Sequence, residues 1–285
     1  MPELPEVETT RRGLVPALTG RPVLAVEVLH PRMLRRQPDP ADFVTRLAGK
    51  VVGRLRRRGK FLLIEVGEDL TWVFHLGMSG RMSVSDRAAP VHIHTRVVVR
   101  TDACHEVRMV DPRTFGFTAV LTPEELAASS IARLGPDALT ALPPAREMAS
   151  KAAGRRVATK TLLLDQRYLA GLGNIYADEV LFQAGISGDR PAGSLTLVEM
   201  GAIRSAIRRV LADGLEHGGT SLDDLAYLLP DGRAGRHLEY LSVYGRGGKP
   251  CRRCGAPIVK ERINGRSSHR CPACQLSPSE DPWLW

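Results

Sequence analysis

The chain has 285 residues, enough for one large domain or two ordinary domains, each with its own buried core. No stretch approaches the roughly 18 to 20 consecutive apolar residues that a membrane span needs, and the N-terminal segment has neither the basic nor the apolar region of a secretory signal. The formal net charge is +9, which excludes neither an enzyme nor a binding protein. We expect a cytoplasmic, nucleoid-associated protein without a membrane anchor.

The positive charge is concentrated in two segments. Residues 1–60 hold 13 basic and 6 acidic residues, and residues 245–276 hold 8 basic residues and 1 acidic residue. The chain between them is slightly negative. Two basic segments suit a polyanion held in a cleft between them, because phosphate neutralisation supplies most sequence-independent affinity for DNA. A merely solvated basic surface explains the charge equally well.

The first half of the chain predicts a helix followed by short strands. Leu4, Val7, Leu14 and Leu18 form one helical stripe over residues 2–18, and acidic residues in the first turn favour the positive end of the helix dipole. From about 23 to 120, runs such as VLAVEVL, FLLIEV, LTWVFHL and TRVVVR alternate with Gly, Pro and Asp. These runs predict an antiparallel sheet or sandwich.

The second half predicts helices after a linker. Residues 135–150 lack a strong period and contain three prolines, as an interdomain linker does. The helical segments KTLLLDQRYLA and NIYADEVLFQAG then flank the turn GLG. A third long helix, LTLVEMGAIRSAIRRVLADGLEHGG, ends in paired glycines.

Four cysteines near the C-terminus have the spacing of a metal site. Two C-x2-C pairs are separated by sixteen residues and comprise Cys251, Cys254, Cys271 and Cys274. This spacing predicts one zinc ion in a tetrahedral thiolate site, whereas the alternative of two disulfides is disfavoured in the cytosol. Four thiolates leave no open coordination position, so the zinc is expected to be structural. The fifth cysteine, Cys104, is expected to be buried in a strand.

Two further features are weak on local evidence alone. The turn GLGN leads into a helix start at Asn174, and helix N-termini bind phosphate, although such turns are also common without a ligand. Removal of Met1 exposes the secondary amine of Pro2, which can attack a sugar carbon as lysine amines do in Schiff bases. Glu3 and Glu6 are near enough to donate a proton or orient a base. Ordinary helix capping explains the same residues.

The assembled motifs resemble bacterial formamidopyrimidine-DNA glycosylase, of the endonuclease VIII-like superfamily. The resemblance runs in order from residue 2 to about 275. It is carried by PELPEVE, RRGKFLL, HLGMSGR, DPRTFG, LLDQRYLAGLGNIYADEVLF, GGTS, VYGR and the four-cysteine finger. Each motif is modest, but eight in sequence are specific.

The resemblance implies an α+β fold in several domains that hold damaged double-stranded DNA. An N-terminal catalytic domain, an antiparallel β-sandwich with flanking helices, spans residues 1–134, and a linker spans 135–150. A helix-two-turn-helix domain follows at 151–241, with a zinc-finger β-hairpin at 242–276 and a tail at 277–285. The protein is expected to be a monomer.

The resemblance also implies a base-excision-repair enzyme with two activities, glycosylase and abasic-site lyase. Oxidised purines, chiefly 8-oxoguanine and formamidopyrimidines, are flipped into a pocket and released by attack of Pro2 on C1′. Glu3 donates the proton and Glu6 lies in the lesion pocket. Lys60 assists β-elimination, and Arg266, in the finger, binds phosphate and assists δ-elimination.

Several DNA contacts follow from the same resemblance. Met78, Arg113 and Phe115 match the trio that fills the space left by the flipped base, with Arg113 addressing the orphaned cytosine. Outside this resemblance, core packing is the ordinary explanation for Met78 and Phe115. The residues that match phosphate contacts are His94, Arg155, Lys160, Asn174 and Tyr244.

Two segments depart from the family pattern, and two alternatives stay open. Asp223, Asp224 and Leu225 follow GGTS where a basic residue and an aromatic are usual, and residues 235–238 read Gly-Arg-His-Leu in place of Gly-Tyr-Phe. The lesion preference is therefore open to an endonuclease VIII-like choice of oxidised pyrimidines. A non-catalytic damage sensor is the other alternative, which the presence of Pro2, Glu3, Lys60 and Arg266 disfavours.

Overall fold

The structure, a computed structural model, describes residues 2–102, 104–222 and 227–275. The departures at Asp223, Asp224 and Leu225 and the tail at 277–285 lie outside these residues. The chain divides into two compact units. Unit 1 comprises the residues up to Arg133 together with Gly214–Leu238, and unit 2 comprises Leu134–Asp213 together with the residues from Glu239 onward.

Both helices and strands are present, as the α+β prediction requires. The α-helices are α1 Leu4–Leu18, α2 Asp42–Leu47, α3 Pro123–Ala128, α4 Ala145–Ala152, α5 Thr159–Leu164, α6 Asn174–Ala184 and α7 Leu197–Glu216. The strands are β1 Ala25–Val28, β2 Val52–Arg58, β3 Phe61–Val66, β4 Leu70–His75, β5 Arg81–Asp86, β6 Thr95–Arg100, β7 His105–Val110, β8 Phe117–Leu121, β9 Val259–Ile263 and β10 Arg266–Arg270. Short 3-10 helices lie at Pro31–Leu34, Ala192–Ser194 and His237–Tyr240.

Unit 1 is built on two four-stranded antiparallel sheets, in the orders β1-β6-β7-β5 and β2-β3-β4-β8. Alternate residues of β3 are buried, as the period of a strand with one core-facing side requires. Side chains from both sheets share one hydrophobic cluster, which includes Val97, Val107, Ile64 and Trp72. The predicted sandwich is confirmed.

Helix α1 packs onto this core through the stripe that its sequence predicts. Leu4, Leu14 and Leu18 are fully buried, and Val7 is nearly so. Burial of each large apolar side chain contributes roughly 1.5 to 3 kcal/mol. The core therefore fixes α1, and with it the N-terminal residues that precede the helix.

Unit 2 contains the predicted helices with two differences. Helix α4 occupies the end of the predicted linker because Pro144 begins it and Met148 and Ala152 bury one face. Helix α5 ends at Leu164, whereas the sequence predicts helix through KTLLLDQRYLA. The Gln166 side chain bonds Leu164 O, Leu172 O and Gly171 N, and these bonds satisfy the backbone without further helix.

Strands β9 and β10 form a separate antiparallel hairpin in unit 2. Its two-residue turn is Asn264-Gly265, and both residues have positive φ, +47° and +77°. Asn-Gly is the preferred sequence for such a turn, because its twist matches that of the strands. The hairpin is therefore specified locally as well as by the adjacent cysteines.

The domain boundaries predicted at 134, 150, 241 and 276 remain predictions. The division by contacts differs from them at Gly214–Leu238, which belongs to unit 1 and not to the helical region. The prediction for Cys104 is wrong, because this residue is exposed in the turn before β7. Among the described residues, no helix combines the length and apolarity needed to cross a bilayer.

Candidate active site and DNA-contacting surfaces

Pro2 is buried and lies directly before α1, next to two buried glutamates. Glu3 and Glu6 form a capping box, in which the Glu3 backbone N–H donates to Glu6 Oε2 at 2.8 Å. The backbone N–H of Thr220 donates to the other oxygen, Oε1, at 2.7 Å. Glu6 therefore links the N-terminal residues to the segment after α7.

The backbone at Gly219 fits closely against Glu6. A Cβ at Gly219 would lie 2.8 Å from Glu6 Oε1, and its φ of +82° is also unfavourable for other residues. Both observations explain why glycine stands at this position. The hydrogen bonds to both of its carboxylate oxygens hold Glu6 in place, which suits a residue that positions its neighbours.

Lys60 lies in the tight turn between β2 and β3, where Arg58 pairs with Phe61. The Lys60 side chain is 8% exposed. Arg57 fixes the turn by donating to Gly59 O at 2.8 Å and contacts Glu8 of α1 at 3.3 Å. The turn that carries Lys60 is thus fastened to the helix that begins after Pro2 and Glu3.

His75 supports the loop that follows β4. The Gly77 N–H donates to His75 Nδ1 at 3.1 Å, and the ring forms an aromatic cluster with Phe61 and Phe117. Burial, reinforced by the positive charge of Lys60, lowers the pKa of His75 to about 4. His75 is neutral at physiological pH and can accept this hydrogen bond.

Two loops of unit 1, residues 76–80 and 111–116, are held together by the fully buried Asp111. Its carboxylate accepts from Ser79 Oγ at 2.6 Å and from Gly116 N at 2.7 Å. A Cβ at Gly77 would lie 2.3 Å from the Phe115 carbonyl carbon, so the loops touch through backbone. Asp111 begins the DPRTFG motif, yet the sequence alone did not single it out.

Met78, Arg113 and Phe115 lie on these two touching loops, and all three are exposed. Met78 is 41% exposed and Phe115 is 44% exposed, while the Arg113 guanidinium lies 5.8 Å from the Phe115 ring centroid. His94 is close by, because its carbonyl accepts from Asp111 N at 2.9 Å. Core packing, the ordinary explanation for Met78 and Phe115, is thus not what the structure shows.

The four cysteines of unit 2 form a metal centre. Their sulfur atoms all lie within 4.8 Å of one another, and tetrahedral zinc with bonds of about 2.3 Å needs sulfurs about 3.8 Å apart. Cys251 and Cys271 also belong to a small apolar cluster with Phe182, Val243 and Ile258. The four cysteines fit one structural zinc ion at the base of the hairpin, and the apolar cluster packs this base against Phe182 of α6.

Lys160 does not lie where a DNA contact requires it. Its side chain is 1% exposed, and its ammonium lies 2.6 Å from Asp178 Oδ1 and donates to Ser267 O at 2.6 Å. Asp178 also accepts from Ser268 Oγ at 3.1 Å and His269 N at 2.9 Å. The prediction of a phosphate contact by Lys160 is corrected: the residue fastens β10 to α5 and α6.

Asn174 and Tyr244 lie at half-buried positions of unit 2. Asn174 is the first residue of α6, and its side-chain amide donates to Ser267 Oγ at 3.2 Å. The buried Glu179 accepts from the backbone N–H groups of Ser242, Val243 and Tyr244. Burial raises the pKa of Glu179, although these three hydrogen bonds oppose the rise.

Arg155 and Arg266 line the same cavity in unit 2, which has a volume of about 350 Å³. Both side chains are exposed to solvent. Asp165 also lines the cavity, and its carboxylate lies 3.9 Å from the Arg155 guanidinium. Two arginines on one cavity favour an anionic ligand.

Three family models match the chain. They describe the formamidopyrimidine-DNA glycosylase N-terminal domain at residues 1–118, the formamidopyrimidine-DNA glycosylase H2TH domain at 134–225, and a zinc finger found in FPG and IleRS at 248–276. With the sandwich and the four-cysteine centre, these matches define the class of protein: a DNA-binding repair glycosylase with a zinc finger.

Individual relatives are similar over nearly the whole chain. The formamidopyrimidine-DNA glycosylase of Nocardia farcinica is 42% identical over 292 residues, covering 98% of this chain and 99% of its own. That of Moorella thermoacetica is 45% identical over 263 residues, covering 92% and 95%. The chain belongs to the formamidopyrimidine-DNA glycosylase family.

Solved structures give the same result for the fold. A complex of Lactococcus lactis Fpg with DNA containing an abasic site matches with a TM-score of 0.89 and 31% identity, covering 97% of this chain and 100% of that one. A complex of MutM with DNA containing carbocyclic 8-oxo-G matches with a TM-score of 0.87, 31% identity and the same coverage. The predicted fold class is confirmed.

Proposed function

We propose that this glycosylase excises oxidised purines from DNA through a Schiff base at Pro2 and then cleaves the strand by β,δ-elimination. The observation that carries the proposal is the arrangement at the start of α1. Pro2 is buried directly before the helix, beside two buried carboxylates, Glu3 and Glu6. An enzyme that works through the Pro2 amine needs acidic groups close to it in the chain, whereas a binding protein does not.

The glycosylase step begins with the free Pro2 amine, so the proposal requires removal of Met1. The Pro2 nitrogen forms a bond to C1′, and the glycosidic bond breaks with its electron pair leaving on the base. Glu3 supplies a proton to the departing base or to the sugar ring oxygen. The attached nitrogen then loses its N–H proton, and its electron pair breaks the bond between C1′ and the ring oxygen, which takes up a proton. The product is an iminium between Pro2 and C1′, which is the Schiff base.

Strand cleavage follows from the iminium. Loss of a proton from C2′ expels the 3′ phosphate, and later loss of a proton from C4′ expels the 5′ phosphate, leaving a one-nucleotide gap. We assign Lys60 to the first elimination, since its turn is fastened to α1 through Arg57 and Glu8. Arg266 assists the second by binding the backbone phosphate.

Glu6 acts mainly by holding the site together. Both of its oxygens accept backbone hydrogen bonds, from Glu3 and Thr220. A carboxylate bonded in this way is a poor proton shuttle but a good support. In the lesion pocket, Glu6 keeps the segment at Gly219 and Thr220 beside the nucleophile.

We propose DNA contacts on both units. Met78, Arg113 and Phe115 enter the duplex where the damaged base leaves the stack, and Arg113 addresses the orphaned cytosine. Exposed apolar side chains on loops fixed from below suit insertion, which must offset a few kcal/mol of unstacking. Phosphates are bound by His94, Arg155, Asn174, Tyr244 and Arg266, and Lys160 supports this surface from beneath.

Most of the lesions in the related structures are purines, which supports a purine preference for this protein. One is an oxidised pyrimidine, which is the substrate class of the alternative. L. lactis Fpg is described in complexes with DNA containing Fapy-dG, N7-benzyl-Fapy-dG and an oxidised pyrimidine. MutM is described with carbocyclic 8-oxo-G. A cleavage panel with 8-oxoguanine and thymine glycol duplexes distinguishes oxidised purines from an endonuclease VIII-like preference. We further propose a monomer in the cytoplasm, associated with the nucleoid.

Borohydride trapping tests the covalent step. Reduction of the Schiff base with abasic-site DNA should link the protein to DNA when mass spectrometry confirms an N-terminal Pro2. One glycine inserted between Met1 and Pro2 displaces the amine and should abolish the link, whereas Cys104→Ser, an exposed change elsewhere, should not. Wild-type protein that binds abasic DNA without ever being trapped would refute the proposal and favour a damage sensor.

A further inference from the structure

Strand β10 is fastened to the helices of unit 2 on both sides of Arg266. Beyond Arg266, Ser267 receives hydrogen bonds from Lys160 and Asn174, and Ser268 and His269 bond Asp178. Before Arg266, the turn residue Asn264 is also bonded to a helix. The backbone of Arg266 is therefore held from two directions while its side chain stays exposed.

The hydrogen bond between the turn and α5 is made by the Asn264 side chain, which the conformation of the turn does not require. The Asn264 side-chain amide donates to Thr161 Oγ1 of α5 at 2.7 Å. With φ of +47°, the position accepts asparagine or glycine, since glycine adopts such conformations with less strain. Only asparagine also supplies the amide that reaches α5.

The same hydrogen bond lies in the wall of the cavity that the two arginines share. Thr161 and Asn264 line it together with Arg155 and Arg266. Arg155 precedes α5 and Arg266 follows the turn, so a hydrogen bond between α5 and the turn limits how far the backbones that carry the two arginines can move apart. Paired guanidiniums bind a phosphate with fixed geometry, and their benefit is lost when the distance between them varies.

We propose that Asn264 is a positioning residue for phosphate binding: through Thr161 it fixes the hairpin turn so that Arg155 and Arg266 bind one phosphodiester of the DNA backbone. This inference rests on the proposed function, because it takes DNA as the ligand of this cavity. Asn264 itself touches neither the sugar nor the reacting atoms.

Equilibrium binding to a duplex with a stable abasic-site analogue tests the proposal in the full-length zinc-loaded protein. Asn264→Gly keeps the turn and removes the amide, and Thr161→Val removes the hydroxyl at nearly constant shape. Each should weaken binding about 3- to 10-fold, the effect of losing one neutral hydrogen bond. The double variant should bind no more weakly than the singles, because both changes break the same bond.

Two further variants separate positioning from simple stabilisation. In an Arg266→Ala background, Asn264→Gly should change affinity less than about 2-fold, because the residue it positions is gone. Asn264→Asp keeps the turn but places a negative charge in the cavity lined by Arg155 and Arg266. This variant should therefore bind DNA more weakly than Asn264→Gly. Thr196→Val is the matched control, since it removes a helix-capping hydroxyl of α7 that does not line the cavity, and it should leave affinity unchanged.

The outcomes are decisive in either direction. Additive losses from Asn264→Gly and Thr161→Val, or an undiminished effect of Asn264→Gly in the Arg266→Ala background, overturn the positioning role. The positioning role is also overturned if Asn264→Gly binds the duplex as tightly as the wild type does. Borohydride trapping of the same proteins on a second duplex, which carries a natural abasic site, reports separately on the proposed function. A wild type that binds the analogue duplex but is not trapped on the natural abasic site contradicts the enzyme and leaves the binding result to judge Asn264.

Discussion

Two buried aspartates each hold a predicted DNA-contacting element, but their partners differ. In unit 1, Asp111 joins the two loops below Met78 and Phe115, and its bonds come from uncharged donors, a hydroxyl and a backbone N–H. In unit 2, Asp178 holds β10 beside Arg266, and its first partner is the buried ammonium of Lys160. One support is a hydrogen-bond network and the other contains a buried ion pair.

The difference matters because the two kinds of support fail differently. Removing one partner of a buried ion pair leaves an uncompensated charge in the interior and destabilises a protein by about 3 to 5 kcal/mol. Removing an acceptor from uncharged donors costs about 1 to 3 kcal/mol for each donor left unsatisfied. The hairpin of unit 2 is therefore expected to lose more stability when one partner is removed than the loops of unit 1 do. Its stability also depends on the zinc ion.

The largest expected effect is loss of the metal. Cys254→Ser should release zinc and abolish DNA binding, because structural zinc contributes on the order of 10 kcal/mol to the folding of such modules. Unit 1 should stay folded, since its sandwich has its own core. Zinc content by atomic absorption and binding by fluorescence anisotropy provide the measurements.

Cys104→Ser is the matched control for this change. Cys104 is an exposed cysteine of unit 1 outside the four-cysteine set, so its replacement should leave one zinc per chain and normal binding. Tight DNA binding by zinc-free Cys254→Ser protein would contradict the assigned role of the hairpin in holding DNA.

The next largest effect concerns the ion pair. Asp178→Asn should destabilise unit 2 by about 3 to 5 kcal/mol, because the Lys160 ammonium loses its countercharge at a fully buried position. DNA affinity should fall with it, since β10 loses a support beside Arg266. Denaturant unfolding followed by a probe in unit 2 measures the loss.

A compensating variant checks that the charge is the cause. Lys160→Met combined with Asp178→Asn removes both charges while leaving an amide oxygen to accept from His269 N, and it should recover most of the lost stability. If the double variant is as unstable as Asp178→Asn alone, the ion pair is not what the single change breaks. Full DNA affinity in Lys160→Met would further exclude a direct phosphate contact.

The sequence predicted the elements whose signals are local. The stripe Leu4, Val7, Leu14 and Leu18 is the buried face of α1, because burial of one face imposes the helical period. The β-rich runs separated by Gly, Pro and Asp contain strands of the sandwich. The cysteine spacing likewise predicted the zinc centre. The end of α5 was missed because the Gln166 side chain, and not a glycine or proline, satisfies the backbone there.

Site residues were harder to predict where their environment is set by distant parts of the chain. The family motifs pointed to Lys160 but gave no sign that it is buried, since its partner Asp178 is eighteen residues away in the sequence. Asp111 and Glu179 were missed although both lie inside quoted motifs, because an acidic residue in a motif does not reveal which N–H groups it accepts from. The Asn264-Gly265 pair is typical of a hairpin turn, but nothing in the sequence indicates that the Asn264 side chain bonds Thr161.

Among the zinc site, the Lys160–Asp178 ion pair and the Asp111 network, the smallest effect is expected for Asp111, in unit 1. Asp111→Asn keeps the shape of the side chain but leaves one acceptor oxygen for two donors, Ser79 Oγ and Gly116 N. The loss of about 1 to 3 kcal/mol should loosen the loops that carry Met78 and Phe115. Excision of a base from duplex DNA should slow by about 5- to 100-fold, because in the proposed function these loops fill the vacated stack.

Cleavage of a duplex with a preformed abasic site is the internal control for Asp111→Asn. No base must be extruded from that substrate, so its single-turnover cleavage rate should fall much less than the excision rate. Ser79→Ala, which removes one donor and leaves Asp111 with Gly116, should give a smaller change of the same kind. Equal slowing on both substrates would show that Asp111 supports the whole of unit 1 and not the two loops, and its difference from Asp178 would then be one of charge alone.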